Sequence, residues 1–141
     1  MKKVVLVVLV GLLTLPASAS GAIRITKIYY NPPGADTGSA SSLKAEWIAI
    51  RNTGARARQL QGWRILDASG PRYRMGSFRL PAKTTFKLHT GSGSDSYPSH
   101  LYWHLDTYVW NNDGDTARLK NSSGSLVDRC HYSGGGSSVT C

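Results

Sequence analysis

From Ile23 onward the chain alternates apolar and polar residues in short runs, each broken off by glycine, proline or asparagine. No long segment repeats apolar residues at the i, i+3, i+4, i+7 spacing of an amphipathic helix. A period of two puts alternate side chains on opposite faces of a strand, so the pattern commits the chain to short, half-buried strands. Ile23 to Tyr30 is the first, stopped by Asn31-Pro32-Pro33-Gly34, where proline removes a ladder donor and glycine supplies the turn. Ala45 to Arg51 follows, with Trp47 and Ala49 on one face and Ile48 and Ile50 on the other. Its turn, Asn52-Thr53-Gly54, has a glycine able to take positive φ. Leu60 to Leu66, Arg72 to Met75, Phe78 to Leu80, Thr84 to Thr90 and Tyr108 to Trp110 are the next strands. Thr116 to Lys120 and Ser125 to Tyr132 form a closing hairpin across Asn121-Ser122-Ser123-Gly124. Asp36 to Ser42 has no periodicity and reads as an exposed loop. Short strands at spacings of roughly 8–12 residues specify an all-β fold, a two-sheet β-sandwich.

The first nineteen residues stand outside that fold. Two lysines, an apolar run from Val4 to Leu15 and the small-residue exit Ala17-Ser18-Ala19 are the three parts of an export signal. The run is shorter than the roughly 20 residues a membrane-spanning helix needs, and no second apolar stretch follows. Residues 1–19 are therefore expected to be a signal peptide cleaved before Ser20, with Ser20-Gly21-Ala22 as a second small-residue site. The mature protein is expected to be secreted, with no transmembrane segment. About 120 residues remain, enough for one domain with a single core. In an exported chain, the two cysteines, Cys130 and Cys141, predict a disulfide. That bridge ties the glycine- and serine-rich tail, residues 133–141, to a domain spanning residues 20–132.

Several motifs, in this order, resemble one known family. They are Ile25-x-x-Ile28-x-Tyr30-Asn31-Pro32, Glu46-Trp47-Ile48-Ala49-Ile50-Arg51-Asn52-Thr53-Gly54 and Leu60-Gln61-Gly62-Trp63-Arg64-Ile65. Asp67-Ala68-Ser69-Gly70, Trp110-Asn111-Asn112-Asp113-Gly114-Asp115-Thr116-Ala117-x-Leu119 and Gly124-x-Leu126-Val127-Asp128 follow. Together they resemble the lamin tail domain, an immunoglobulin-like sandwich found in nuclear lamins and in bacterial exported proteins. The resemblance implies an immunoglobulin-like two-sheet β-sandwich and brings no catalytic residues and no cofactor. Trp47 and Trp63 suit the core of such a sandwich, and Gly62 admits a close neighbour. Relatives often carry acids where Lys27 and Ala49 stand, so an acidic patch or cation site on the first two strands is not implied here.

Charge is the main functional clue. The formal net charge is +9, with 17 Lys+Arg against 8 Asp+Glu. Between residues 51 and 87 stand Arg51, Arg56, Arg58, Arg64, Arg72, Arg74, Arg79, Lys83 and Lys87 against Asp67 alone, a net +8. Residues 20–50 carry +1 and residues 88–141 carry −2. Arg56, Arg58, Arg64, Arg72, Arg74 and Arg79 are the candidate polyanion-binding residues, because guanidinium forks match phosphate geometry. Candidate partners are extracellular DNA, a phosphate-bearing cell-wall polymer, anionic lipid headgroups or another protein. The bland alternative for the same residues is a solvated face.

Other chemistry is thinner. Asn111-x-Asp113-Gly114-Asp115 has closely spaced oxygen ligands, making Asn111, Asp113 and Asp115 a weak calcium candidate. It lacks the twelve-residue spacing and the bidentate glutamate of an EF-hand, and a hairpin turn uses the same residues. His100 and His104, on a strand, stand ~13 Å apart, too far for one metal. No Gly-x-Ser-x-Gly elbow is present. A secreted, non-catalytic binding or scaffolding module is the reading these residues favour. The alternative is a small secreted hydrolase or nuclease using His89, His104 and nearby aspartates.

Overall fold

The computed structural model describes residues 22–141, so the signal peptide expected over residues 1–19 lies outside the described residues. Eleven strands and one short helix follow in chain order: β1 (Ile23–Tyr29), α1 (Ala40–Ala45), β2 (Trp47–Asn52), β3 (Arg58–Gln59), β4 (Arg64–Leu66) and β5 (Arg72–Arg74). Then come β6 (Arg79–Leu80), β7 (Thr85–His89), β8 (His100–Tyr102), β9 (Asp115–Lys120), β10 (Leu126–Tyr132) and β11 (Ser138–Thr140). A five-stranded sheet, β11-β1-β2-β7-β8, packs against a four-stranded sheet, β10-β9-β4-β5, and β3-β6 makes a separate ribbon. This is the two-sheet sandwich that the alternation predicts. Among the described residues, no helix is long and apolar enough to cross a membrane.

Alternation builds the core. Ile23, Ile25, Ile28, Ile48, Ile50, Phe86, Leu88 and Leu101 point inward from the larger sheet. Ile65, Ala117, Leu119, Cys130 and Tyr132 meet them from the smaller one. Two bulges reset the phase. Between Ile25 and Lys27 one extra residue shifts the register of β1 against β2, so Ile25 and Ile28 both face inward despite a spacing of three. A second bulge between Leu126 and Asp128 turns Leu126 outward, 56% exposed, although it is in phase with the buried Cys130 and Tyr132.

Four local expectations are corrected. Trp47 does not fill the core: it faces outward, half-buried, and Trp110, 1% exposed, takes interior space together with Trp63. Tyr108 to Trp110 is not a strand, although Val109 and Trp110 are buried. The stretch expected as a loop ends in α1, capped by Ser39, whose side chain accepts from the Ser42 amide at 3.3 Å. Leu43 anchors this turn of helix in the interior, so tertiary packing outweighs the weak helical preference of Ala-Ser-Ser. Finally, the Asn52 turn does not rest on positive φ at Gly54. The Asn52 carboxamide holds it, its Oδ1 accepting from the Gly54 amide and its Nδ2 donating to the carbonyls of Arg56, Leu80 and Pro81.

Cys130 and Cys141 are bonded. Eleven residues separate them, yet Cys130 lies on β10 of one sheet and Cys141 follows β11 on the edge of the other. The bridge therefore joins the two layers, and the tail expected outside the domain supplies an edge strand to it, pairing Lys27, Ile28 and Tyr29 with Thr140, Val139 and Ser138.

Candidate anion-binding face

Ile65 on β4 points into the core, so Arg64 and Leu66 point out. On β5 the exposed Arg72 and Arg74 do the same. On β9 the buried residues are Asp115, Ala117 and Leu119, which leaves Thr116, Arg118 and Lys120 on the outer side. Register then sets the cations beside one another. One row across the four-stranded sheet reads Arg129, Arg118, Leu66, Arg72; the next reads Leu126, Lys120, Arg64, Arg74. Neighbours in a row are about 4.8 Å apart and the rows about 7 Å apart, so six cations share one face. Like charges directly opposite on adjacent strands destabilise a sheet, and no carboxylate stands in either row to offset them. Among the described residues the ion pair present is Arg24 with Asp128 at 3.4 Å, away from this face.

The six arginines singled out in the sequence are thus divided. Arg64, Arg72 and Arg74 share the sheet face. Arg56 lies in the turn after β2, and its carbonyl is used by Asn52. Arg58 pairs with Leu80 and Arg79 with Gln59, which assigns the two to opposite faces of the β3-β6 ribbon. Arg118, Lys120 and Arg129 complete the face and were missed, because residues 88–141 carry net negative charge. The signal that could have found them is the alternation of Thr116 to Lys120, with Arg118 and Lys120 on the outward phase.

The remaining candidates have local partners. Asp115 accepts from the Asn111 amide and Asn111 Nδ2 through Oδ2, and from the Thr116 amide through Oδ1, which is a turn closing on itself. Burial, together with a hydrogen bond to Asp67, raises the pKa of Asp115. Asn111 and Asp113 are exposed. Among the described residues no group of three or more His, Cys, Asp or Glu converges at metal-holding distance. His89 Nδ1 lies 2.8 Å from the Lys44 carbonyl and its Nε2 lies 2.9 Å from His100 Nδ1. A carbonyl can only accept, so Nδ1 carries the proton, and burial lowers the pKa of this ring. His104 is exposed, with a φ of 63°.

The model of one family, Lamin Tail Domain, matches residues 16–134. The chain belongs to the lamin tail domain family. No curated protein matches it.

Within this lamin tail domain, the two positions lacking the acids that relatives often carry turn out to be cross-strand partners: Lys27 pairs with Ala49 on the outer side of the five-stranded sheet. The acid of the Glu46-Trp47 motif is retained and is fully buried. Its Oε1 accepts from Thr90 Oγ1 at 2.5 Å and from the Val109 amide at 2.9 Å, tying the loop before β9 to β2 and β7. Its Oε2 is buried without a partner. Burial pushes the Glu46 carboxyl up to about 7, against the hydrogen bonds from Thr90 and the Val109 amide, which act to lower it.

Proposed function

We propose that this lamin tail domain is a secreted, non-catalytic binding module that takes a polyanion on the outer face of its four-stranded sheet. The observation that carries the reading is the pair of in-register rows holding Arg64, Arg72, Arg74, Arg118, Lys120 and Arg129 with no carboxylate among them. Guanidiniums dominate the set, and their fork suits phosphate and sulfate oxygens. Export is supported by the composition of residues 1–19 and by the Cys130–Cys141 bridge, a kind of bond that persists in oxidising compartments. A non-catalytic role is supported by His89, whose two ring nitrogens are both engaged by neighbours.

Binding to immobilised heparin and to duplex DNA, measured from low to moderate salt, tests the proposal. Affinity is expected to fall steeply as salt rises, with the slope set by the number of phosphates neutralised. Replacing Arg64, Arg74 and Arg118 with glutamine should flatten that slope by about 3. The triple replacement of Arg56, Arg58 and Arg79, which lie off the face, should change it less. Equal effects of the two triple variants, or binding indifferent to salt, would defeat the assignment of this face.

A further inference from the structure

The two outer faces of the sandwich differ in chemistry: guanidiniums cover one, while on the other a row of rings lies beside a row of lysines, with Arg24 and Arg51 paired one row further along. Tyr29 and Trp47 are cross-strand partners on β1 and β2, both half-buried, with ring centroids 5.4 Å apart and planes inclined by 37°. One step along the strands, Lys27, Ala49 and Lys87 stand side by side on β1, β2 and β7. Lys87 Nζ lies 4.0 Å from the Trp47 ring centroid, and Lys27 Nζ lies 5.9 Å from that of Tyr29. Among the described residues, neither lysine has a carboxylate within ion-pair distance.

We propose that this strip binds single-stranded nucleic acid, with bases stacking on Tyr29 and Trp47 and phosphates meeting Lys27 and Lys87. The placement of a ring row directly beside a lysine row carries the inference. The aromatic row and the cationic row run parallel about 7 Å apart, the separation of residues i and i+2 on a strand. An extended nucleotide chain is divided in the same way, its bases on one side and its phosphates on the other. An acidic polysaccharide carries its anion on the ring that would stack, and it matches separated rows poorly. The Lys87 ammonium lies over the electron-rich indole, a modest attraction at a wetted surface. A phosphate is a stronger partner for that ammonium, and its move bares the indole for a base. A duplex keeps its bases stacked inside, so this strip discriminates strandedness and not sequence. The surface lies on the sheet opposite the guanidinium rows and does not depend on them.

The test uses the full disulfide-bonded protein and an oligothymidylate of about ten nucleotides at low salt, followed by tryptophan fluorescence and by anisotropy of a labelled strand. A duplex of equal length and an oligogalacturonate serve as comparators. Binding of the single strand is expected to quench fluorescence, and the quench should disappear in Trp47→Leu. Each ring removed should weaken binding roughly 5-fold or more. Because Trp47→Leu disturbs a half-buried position, Tyr29→Leu and Lys87→Gln are read beside it, with melting temperatures compared. The double change Lys27→Gln and Lys87→Gln should flatten the salt slope for the single strand by about 1.4. Single-strand binding that survives Tyr29→Leu and Lys87→Gln unchanged overturns the proposal. So does ring-dependent binding of the oligogalacturonate that is tighter than that of the oligothymidylate.

Discussion

Glu46 makes the stability of this domain depend on pH in an unusual direction. Its carboxyl is fully buried, with one oxygen held by Thr90 and the Val109 amide and the other without a partner. Burial lifts its pKa from 4.5 to about 7 in the folded state. Below pH 4.5 the group is protonated in both states and the fold is under no penalty from it. As pH rises past 4.5 the unfolded chain releases the proton first, while the folded protein holds it until about 7. The stabilisation is therefore lost across that window, at up to about 1.4 kcal/mol per pH unit, and totals about 3 kcal/mol by neutral pH. Glu46→Gln keeps the acceptor for Thr90 and Val109 and cannot ionise. It places an amide N–H where Oε2 has no partner, a fixed cost of about 1–3 kcal/mol that does not vary with pH. Urea unfolding of both proteins, followed by tryptophan fluorescence at pH 4.5 to 8, separates the two contributions, because all other titrating groups cancel in the difference. The gap between variant and parent should move by about 3 kcal/mol in favour of the glutamine as pH rises. A gap that stays flat within about 1 kcal/mol across the window would show that Glu46 is not held protonated by burial.

Replacing Cys130 and Cys141 together with serine should lower unfolding stability by about 3 kcal/mol, the loop-entropy value for a closure of this length, read as a shift in urea midpoint. Hydrogen exchange in the same variant should rise first at Ser138 to Thr140, because those residues are held by β1 on one side alone. Asn52→Ala should cost roughly 3 kcal/mol, because the Arg56, Leu80 and Pro81 carbonyls lose one shared donor at a fully buried site. A thermal melt of that variant within a degree or two of the parent would show that water replaces the carboxamide.

The fold was legible where alternation runs unbroken. The inward phase of Ile48, Ile50, Ala117 and Leu119 follows from a period of two, and Asp67 to Gly70 and Asn121 to Gly124 close hairpins as their turn chemistry predicts. It was less legible where a feature is set by tertiary contact. The bulges that return Ile28 to the core and expel Leu126 leave no local mark, because a run of apolar residues reads the same with or without an inserted residue. α1 exists because Leu43 has somewhere to go, which composition alone does not reveal. Trp47 was assigned to the core for its size, yet its position two residues before Ala49 puts it on the outward phase. Alternation with Ile48 and Ile50, which take the inward phase, is the stronger rule.

Charge clustering along a sequence and charge clustering on a sheet are different quantities, and this domain separates them. Residues 51–87 hold the densest run of arginines, but strands bring together residues by register, and register is not written in net charge per segment. Arg58 and Arg79 are close enough in sequence to count toward the same cluster, yet Arg58 pairs with Leu80 and Arg79 with Gln59, which puts the two on opposite faces of the ribbon. Arg118 and Arg129 sit in a segment of net negative charge, yet each lies in the same row as Arg72. None of that segment's aspartates stands in the two cationic rows. Asp115 is buried in its turn, Asp128 is occupied by the Ile25 amide and Arg24, and Asp113 lies in the loop before β9. The sheet thus sorts a nearly neutral stretch into an outward cationic phase and an inward or looped acidic one. The strand phase of each cation, taken with the strands it pairs with, reveals a cationic face that the charge count along the chain shows only in part.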